Sequence, residues 1–314
     1  MIYLDIVGRC GNQMFQYAFA KKVSILNNND EITIDFFHVY KEAENRQDVT
    51  FKNELNLFHA RESFTEIKDG ANKIYKYGSK SQILIFKIYT KIKRFLEKFV
   101  NDKRFANKLF YKIMTHYGIY WYYAPEKLKK CKQKNKFIWG YFENPNYFDD
   151  IKEQLFRDFT PVYPIKDENS SIYDLVKKNN SVCLSIRKWE GNEPVDDNFY
   201  VCNRTYYDNA IKRIEQLVLN PQYVIFSNNI DWVKKEFSFP DNTIYESGED
   251  PIYEKIRMMY SCNHFILSNS TFSWWAQYLG RNDKKIIVAP ECWRKTDKKN
   301  NPLICDTFQK VSIQ

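Results

Sequence analysis

The chain has 314 residues, with 48 lysines and arginines against 39 aspartates and glutamates, a net charge of +9, and 17% aromatic residues. That aromatic content is more than enough to build cores, and the length suits two lobes of ordinary size. The positive charge is mostly scattered lysine, which speaks of solubility and polyanion contact, and no nucleic-acid motif accompanies it, so a nucleic-acid partner is not expected. No run approaches the roughly 18–20 apolar residues that span a bilayer, and no charged leader precedes the first strand. A cytoplasmic protein is expected.

In chain order, an apolar run over 2–7 reads as a strand, residues 13–26 as a helix and 31–36 as a second strand, the start of a βαβ unit. Between strand and helix lies "GRCGNQ" (8–13), a tight turn with Asn12 as its candidate helix cap. The segment 79–117 places apolar residues three and four apart with lysine and arginine between them, predicting one or two basic amphipathic helices. Its alternatives are an ordinary solvated face or a surface that touches anionic lipid heads or an acidic acceptor. Pro161 and Pro164 mark 159–167 as the linker, dividing the chain into an N-terminal lobe, 1–160, and a C-terminal lobe, 161–314.

Beyond the linker, strands over 181–188, 223–228, 243–247, 264–269 and 285–290 alternate with helices over 206–219, 230–237, 251–262 and 271–279. Such alternation implies a parallel sheet covered on both faces. Cys10, Cys131, Cys183, Cys202, Cys262, Cys292 and Cys305 form an odd set without a CxxC pair, so reduced core thiols are expected.

In open parallel sheets ligands bind beyond the carboxyl ends of the strands. Those ends offer Gly8, Gly11, Asn12 and Gln13 in the first lobe, and Ser185, Arg187, Glu190, Ser227 and Asn228 in the second. The richest end is "SNSTFSWW" (268–275), where Ser270, Thr271 and Ser273 open a helix and suit a phosphate. The bland alternative is that Ser270 or Thr271 only caps the helix and that Trp274 and Trp275 are core aromatics. Arg187 ends an apolar strand, and its planar fork suits a bidentate grip on pyrophosphate. GxGxxG and the P-loop both fail at Gly8 and Gly11. The four histidines have no ligand spacing, and HExxH, GxSxG and Asp-x-Asp are absent, which leaves a metal-independent phosphate-binding enzyme.

Taken together, "GRCGNQMFQYAFA" (8–20), "GYFENPNYF" (140–148), "YVIFSNNIDWVKKEF" (223–237), "HFILSNSTFSWWAQYL" (264–279) and "IVAPECW" (287–293) resemble the family 11 glycosyltransferases, the bacterial α-1,2-fucosyltransferases. Protein O-fucosyltransferases are more distant kin. The resemblance implies a GT-B architecture, two Rossmann-like lobes with a cleft between them. It further implies GDP-β-L-fucose as donor, held mainly by the second lobe, and inverting transfer without metal or other cofactor. The acceptor would be the 2-hydroxyl of a galactose, in an oligosaccharide or a lipid-linked glycan.

Carried over by position, Arg187 would hold the donor's β-phosphate, Asn12 would lie beside fucose and pyrophosphate, Ser270 and Thr271 would bind phosphate, and Phe272 would pack near the donor. Gly11, Gln13, Ser227, Asn228, Asn269 and Ser273 complete the donor-side set. Two departures stand out. The family writes His-x-Arg-Arg-Gly-Asp where this chain has Ser185, Ile186, Arg187, Lys188, Trp189 and Glu190. The acidic residue that the wider superfamily uses on guanine is displaced by Lys255, leaving Glu254 and Asp250 as candidates. Glu190 could take the acceptor proton, or the leaving phosphate could accept it. The competing readings are a GT-B transferase with another donor or linkage, and a silent sugar-nucleotide or glycan binder.

Overall fold

The structure, a computed structural model, describes residues 1–100, 105–178, 180–189, 197–297 and 301–313. The chain divides into two compact units, Met1–Phe159 and Thr160–Gln314.

In the first unit the strands are β1 (Ile2–Asp5), β2 (Ile32–Asp35), β3 (Phe64–Ile67), β4 (Ile119–Trp121) and β5 (Lys136–Trp139). Its helices are α1 (Cys10–Leu26), α2 (Phe37–Arg46), α3 (Lys73–Tyr77), α4 (Lys80–Leu96), α5 (Phe105–His116) and α6 (Lys152–Asp158). The sheet is parallel throughout, in the order β3-β2-β1-β5-β4. Tyr3 of β1 packs with Phe86 and Tyr89 of α4 and Ala106 and Met114 of α5. The segment 79–117 is therefore two helices, the first opened by a capping box between Ser79 and Gln82.

Helix α1 has twelve of its seventeen residues buried and starts at Cys10, three residues earlier than its pattern predicts. The cause is non-local. The Cys10 N–H donates to the carboxylate of Glu54, so the helix start is capped from a distant loop and not by Asn12.

The second unit has α7 (Ser170–Lys178), β6 (Ser181–Ile186), α8 (Arg204–Glu215), β7 (Gln222–Ser227), α9 (Ile230–Glu236) and β8 (Ile244–Tyr245). It continues with α10 (Ile252–Ser261), β9 (His264–Ile266), α11 (Thr271–Leu279), β10 (Ile287–Pro290) and β11 (Gln309–Val311). Its sheet is also parallel throughout, in the order β11-β10-β9-β6-β7-β8. The chain winds outward from β6 through β7 to β8, then returns to the other side of β6 through β9. That is the Rossmann order, and the reversal falls between β6 and β9. All six residues of β6 are buried. Val182, Leu184 and Ile186 pack with Tyr206, Tyr207 and Val233 of α8 and α9, while Cys183 packs with Tyr173, Met258 and Ala276 on the other face. A strand covered on both faces buries every position, so β6 reads as a mostly apolar run whose two serines, Ser181 and Ser185, find partners inside the fold.

No disulfide joins the cysteines among the described residues, and Cys10, Cys131, Cys183 and Cys262 are buried. No described helix is long and apolar enough to cross a membrane.

Candidate functional site

At the reversal in the second unit, the ends of β6 and β9 are joined by side chains. Ser185 Oγ and Ser268 Oγ are 3.1 Å apart and both residues are buried. Ser185 thus satisfies its hydroxyl inside the sheet, as a buried polar group must. Two residues beyond Ser185 stands Arg187, half-buried, and two beyond Ser268 stands Ser270, so both leave from neighbouring strand ends.

The exit of β6 is pinned from α8. The hydroxyl of Tyr207 donates to the Ser185 carbonyl at 3.2 Å and accepts the Arg187 N–H at 3.4 Å, bracketing Ile186. Burial pushes that phenol far above its usual range, so it remains a neutral donor and acceptor. Its neighbour Tyr206 donates to the Leu267 carbonyl at the end of β9. Asn203 caps α8 by accepting the Tyr206 N–H at 2.9 Å, and so sets the start of the helix that carries both tyrosines. Sequence reasoning missed this pair, because two tyrosines after an Asn cap carry no mark of which carbonyls they reach.

The Arg187 guanidinium lies over the Trp189 ring at 5.3 Å, and Trp189 packs on Phe199 at 5.8 Å. Arg294 covers Phe199 at 4.8 Å and buries its Nε without a hydrogen bond. This second arginine, immediately after "IVAPECW", also escaped the sequence reading. Glu190 lies outside the described residues.

At the start of α11, Ser270 occupies the cap position with extended backbone, but its side chain makes no capping bond. The first amides of the helix are therefore not answered by its own cap. Ser273 is buried with its Oγ lacking a partner. Asn269 donates to the carbonyls of Phe199 and Trp293 at 2.8 and 3.2 Å and keeps Oδ1 buried and unbonded. Thr271 and Phe272 are half-buried, and Phe272 packs on the core cluster of Met258 and Ala276. Trp274 and Trp275 are core aromatics.

Other expected donor contacts are taken up within the fold. Asn228 accepts the Lys188 N–H at 2.9 Å and donates to the Lys188 carbonyl at 2.8 Å, so its amide clamps the loop after β6. Ser227 accepts the Asn229 N–H at 3.1 Å. Asp250 and Glu254 are buried and brace the entering segment of the unit. Asp250 accepts from Lys166, Asn169 and Ser247, while Glu254 accepts from the Lys166 N–H, Asn169, Tyr173 and Arg257. Burial alone would raise the Asp250 carboxyl, but the bonds from Asn169, Lys166 and Ser247 outweigh it and hold it below the usual range. Neither side chain is open to a guanine. Lys255 ion-pairs with buried Glu246 at 3.0 Å, so the displaced acidic position faces a carboxylate of its own.

In the first unit, Gly8 sits at φ +79°, and a Cβ there would meet Asn12 Nδ2 at 2.7 Å. Gln13 is fully buried, and its amide is taken up by the turn itself. Nε2 donates to the carbonyls of Gly8 and Lys52 at 2.9 and 2.8 Å, and Oε1 accepts the Glu54 N–H at 3.0 Å. Gln16 holds Val7 in the same way. Gln13 is therefore a scaffold residue and not a donor contact, since none of its polar atoms faces outward. Gly11 is buried within the first turn of α1 and Asn12 is half-buried.

Beside this turn, at the ends of β1 and β2, Asp5 and Asp35 flank buried Lys73, 4.0 Å from Asp5, and Asp35 forms a tight ion pair with it. Burial pushes the Asp5 carboxyl up to about 7 against the pull of Lys73. Burial likewise pushes Glu54 up to about 7. Among the described residues no group of three or more histidines, cysteines and carboxylates is arranged to hold a metal.

Two parallel α/β units, the second in Rossmann order with polar groups gathered where the strand order reverses, define an α/β enzyme scaffold of the nucleotide-binding kind. The chain belongs to glycosyl transferase family 11, whose model matches residues 1–304, and is a glycosyltransferase. It is 26% identical over 309 residues to an alpha-1,2-colitosyltransferase of Escherichia coli, covering 96% of this chain and 95% of that one. An O-antigen biosynthesis glycosyltransferase, WbnK, of the same organism is 26% identical over 308 residues, covering 93% and 94%. Human galactoside alpha-(1,2)-fucosyltransferase 1 is 25% identical over 157 residues, covering 44% of this chain and 41% of its own.

Proposed function

We propose that this glycosyltransferase is an inverting α-1,2-fucosyltransferase that takes L-fucose from GDP-β-L-fucose to the 2-hydroxyl of a galactose ending an oligosaccharide or lipid-linked glycan, without a metal. The observation that carries the donor half lies at the start of α11: Ser270 makes no side-chain cap there, and the Ser273 Oγ is buried and unbonded. Such groups suit the oxygens of a pyrophosphate. The shared linkage in the names of the colitosyltransferase and the human relative supports the acceptor half.

In this reading the bond from the sugar's anomeric carbon to the β-phosphate breaks as the acceptor oxygen bonds to the opposite face. Negative charge grows on the departing GDP. The Arg187 guanidinium, the α11 amides and the hydroxyls of Ser270, Thr271 and Ser273 are fixed donors aimed at that charge, a preorganised arrangement that stabilises the transition state. The acceptor proton goes to the leaving phosphate, with Glu190 as the alternative base.

The test is product analysis by mass and linkage after offering GDP-fucose and a panel of galactose-ended acceptors. Arg187→Ala is expected to lose transfer by hundreds-fold or more at saturating donor, the scale for one preorganised donor. Near-normal turnover of that variant would remove Arg187 from the reaction. A second reading, a colitose donor with the same linkage, is favoured by the name of the relative matched over nearly its whole length. Product from the GDP-activated colitose but not from GDP-fucose would select it.

A further inference from the structure

We propose that the outward faces of α4 and α5 form a docking surface for an anionic lipid bilayer. The inner faces of these helices are already committed to the first unit: Phe86 and Tyr89, with Ala106 and Met114, are buried, and Tyr89 donates its hydroxyl to Asn107. Each helix nevertheless carries a second apolar stripe that the fold does not use. On α4 it is Leu84, Ile88 and Phe95, which are 58%, 42% and 61% exposed, and Phe99 just past the helix adds a ring 5.1 Å from Phe95. On α5 it is Phe105, Leu109 and Ile113 at four-residue spacing, 42%, 56% and 49% exposed.

The charges follow the same period. Three residues after each of these six stripe residues stands an exposed basic or imidazole side chain: Lys87, Lys91, Lys98, Lys108, Lys112 and His116. An offset of three turns a side chain by about 60° on a helix, so a basic flank runs beside each apolar ridge. Among the described residues the two helices hold no acidic side chain, and Glu97 after α4 is ion-paired with Lys93 at 3.7 Å.

A helix with an apolar strip edged by lysine lies in a bilayer interface, rings and aliphatic chains at the acyl boundary and ammonium groups among anionic heads. Charge selects this occupant over a second copy of the chain, because an isologous contact would set basic flank against basic flank.

Co-sedimentation of the full chain with phosphatidylcholine vesicles, with and without phosphatidylglycerol, tests the assignment at low and high salt. Binding is expected only with phosphatidylglycerol and is expected to weaken with salt. The pairs Lys87→Glu with Lys91→Glu, and Phe95→Ser with Leu109→Ser, should each weaken partition by about tenfold or more. Circular dichroism and melting should be unchanged, since these side chains face solvent. Three results would overturn the proposal: no binding to anionic vesicles, binding that neither pair alters, or a dimer in sedimentation velocity that either pair converts to monomer.

Discussion

Tyr207→Phe isolates the device that directs Arg187. The substitution removes one buried hydroxyl and leaves the ring in its place, so it breaks the 3.2 Å bond to the Ser185 carbonyl and the 3.4 Å bond from the Arg187 N–H together. Both bonds are long, and each is worth about 0.5–1.5 kcal/mol net, so the expected loss of stability is about 1–2 kcal/mol. For a domain of this size that is a fall in melting temperature of about 2–8 °C. Released from its anchor, the backbone after Ile186 can turn, and a guanidinium displaced by a fraction of an ångström from its productive position should lower kcat by about tenfold. The assay is GDP release at saturating donor and acceptor, run well below the melting transition, beside a thermal melt. A variant that loses stability but keeps full kcat would reduce Tyr207 to a packing residue. One unchanged in both would refute the reasoning altogether.

Two further perturbations separate binding from folding. Ser273→Ala removes a buried hydroxyl that has no partner, so the free protein should be unchanged or more stable by about 1 kcal/mol, while affinity for GDP falls several-fold. Calorimetric titration with GDP and a melt read both, and an unaltered GDP affinity would take Ser273 out of the donor site. Asp5→Asn tests the raised carboxyl near 7. Because the folded state resists ionising Asp5 while the unfolded chain ionises near 4, its contribution worsens as pH rises from about 4 to 7 and is then level. The variant should therefore gain up to a few kcal/mol over the parent at pH 8, and less at pH 5, in denaturant titrations. A loss that is larger at pH 8 would mean that the ion pair with Lys73 outweighs the burial.

Much of the second unit was legible in the sequence. The run over 181–186 and the pattern over 271–279 each carry their period within a few residues of one another, and local periodicity is what strands and helices impose on a chain. The parallel class followed from their alternation, and the place to look for a site followed from the class. Strands β3, β4 and β11 lie at sheet edges, and β3 and β11 lack the continuous buried run that marks an inner strand. The order β3-β2-β1-β5-β4 was decided by tertiary packing, because pairing of parallel strands joins residues far apart in the chain.

Residue types near the site were readable too, but not their duties. Gln13, Asn228, Asp250 and Glu254 stood as candidates, and only the folded chain assigns their polar atoms to Lys52, Lys188, Asn169 and Tyr173. Ser185 looked like a lost function until Ser268, 83 residues away, supplied its partner. By itself the sequence determined which residues could end a strand or open a helix. Only the tertiary structure decided which of them keep polar atoms unanswered, because that depends on partners tens of residues distant and on the burial that leaves a group without water.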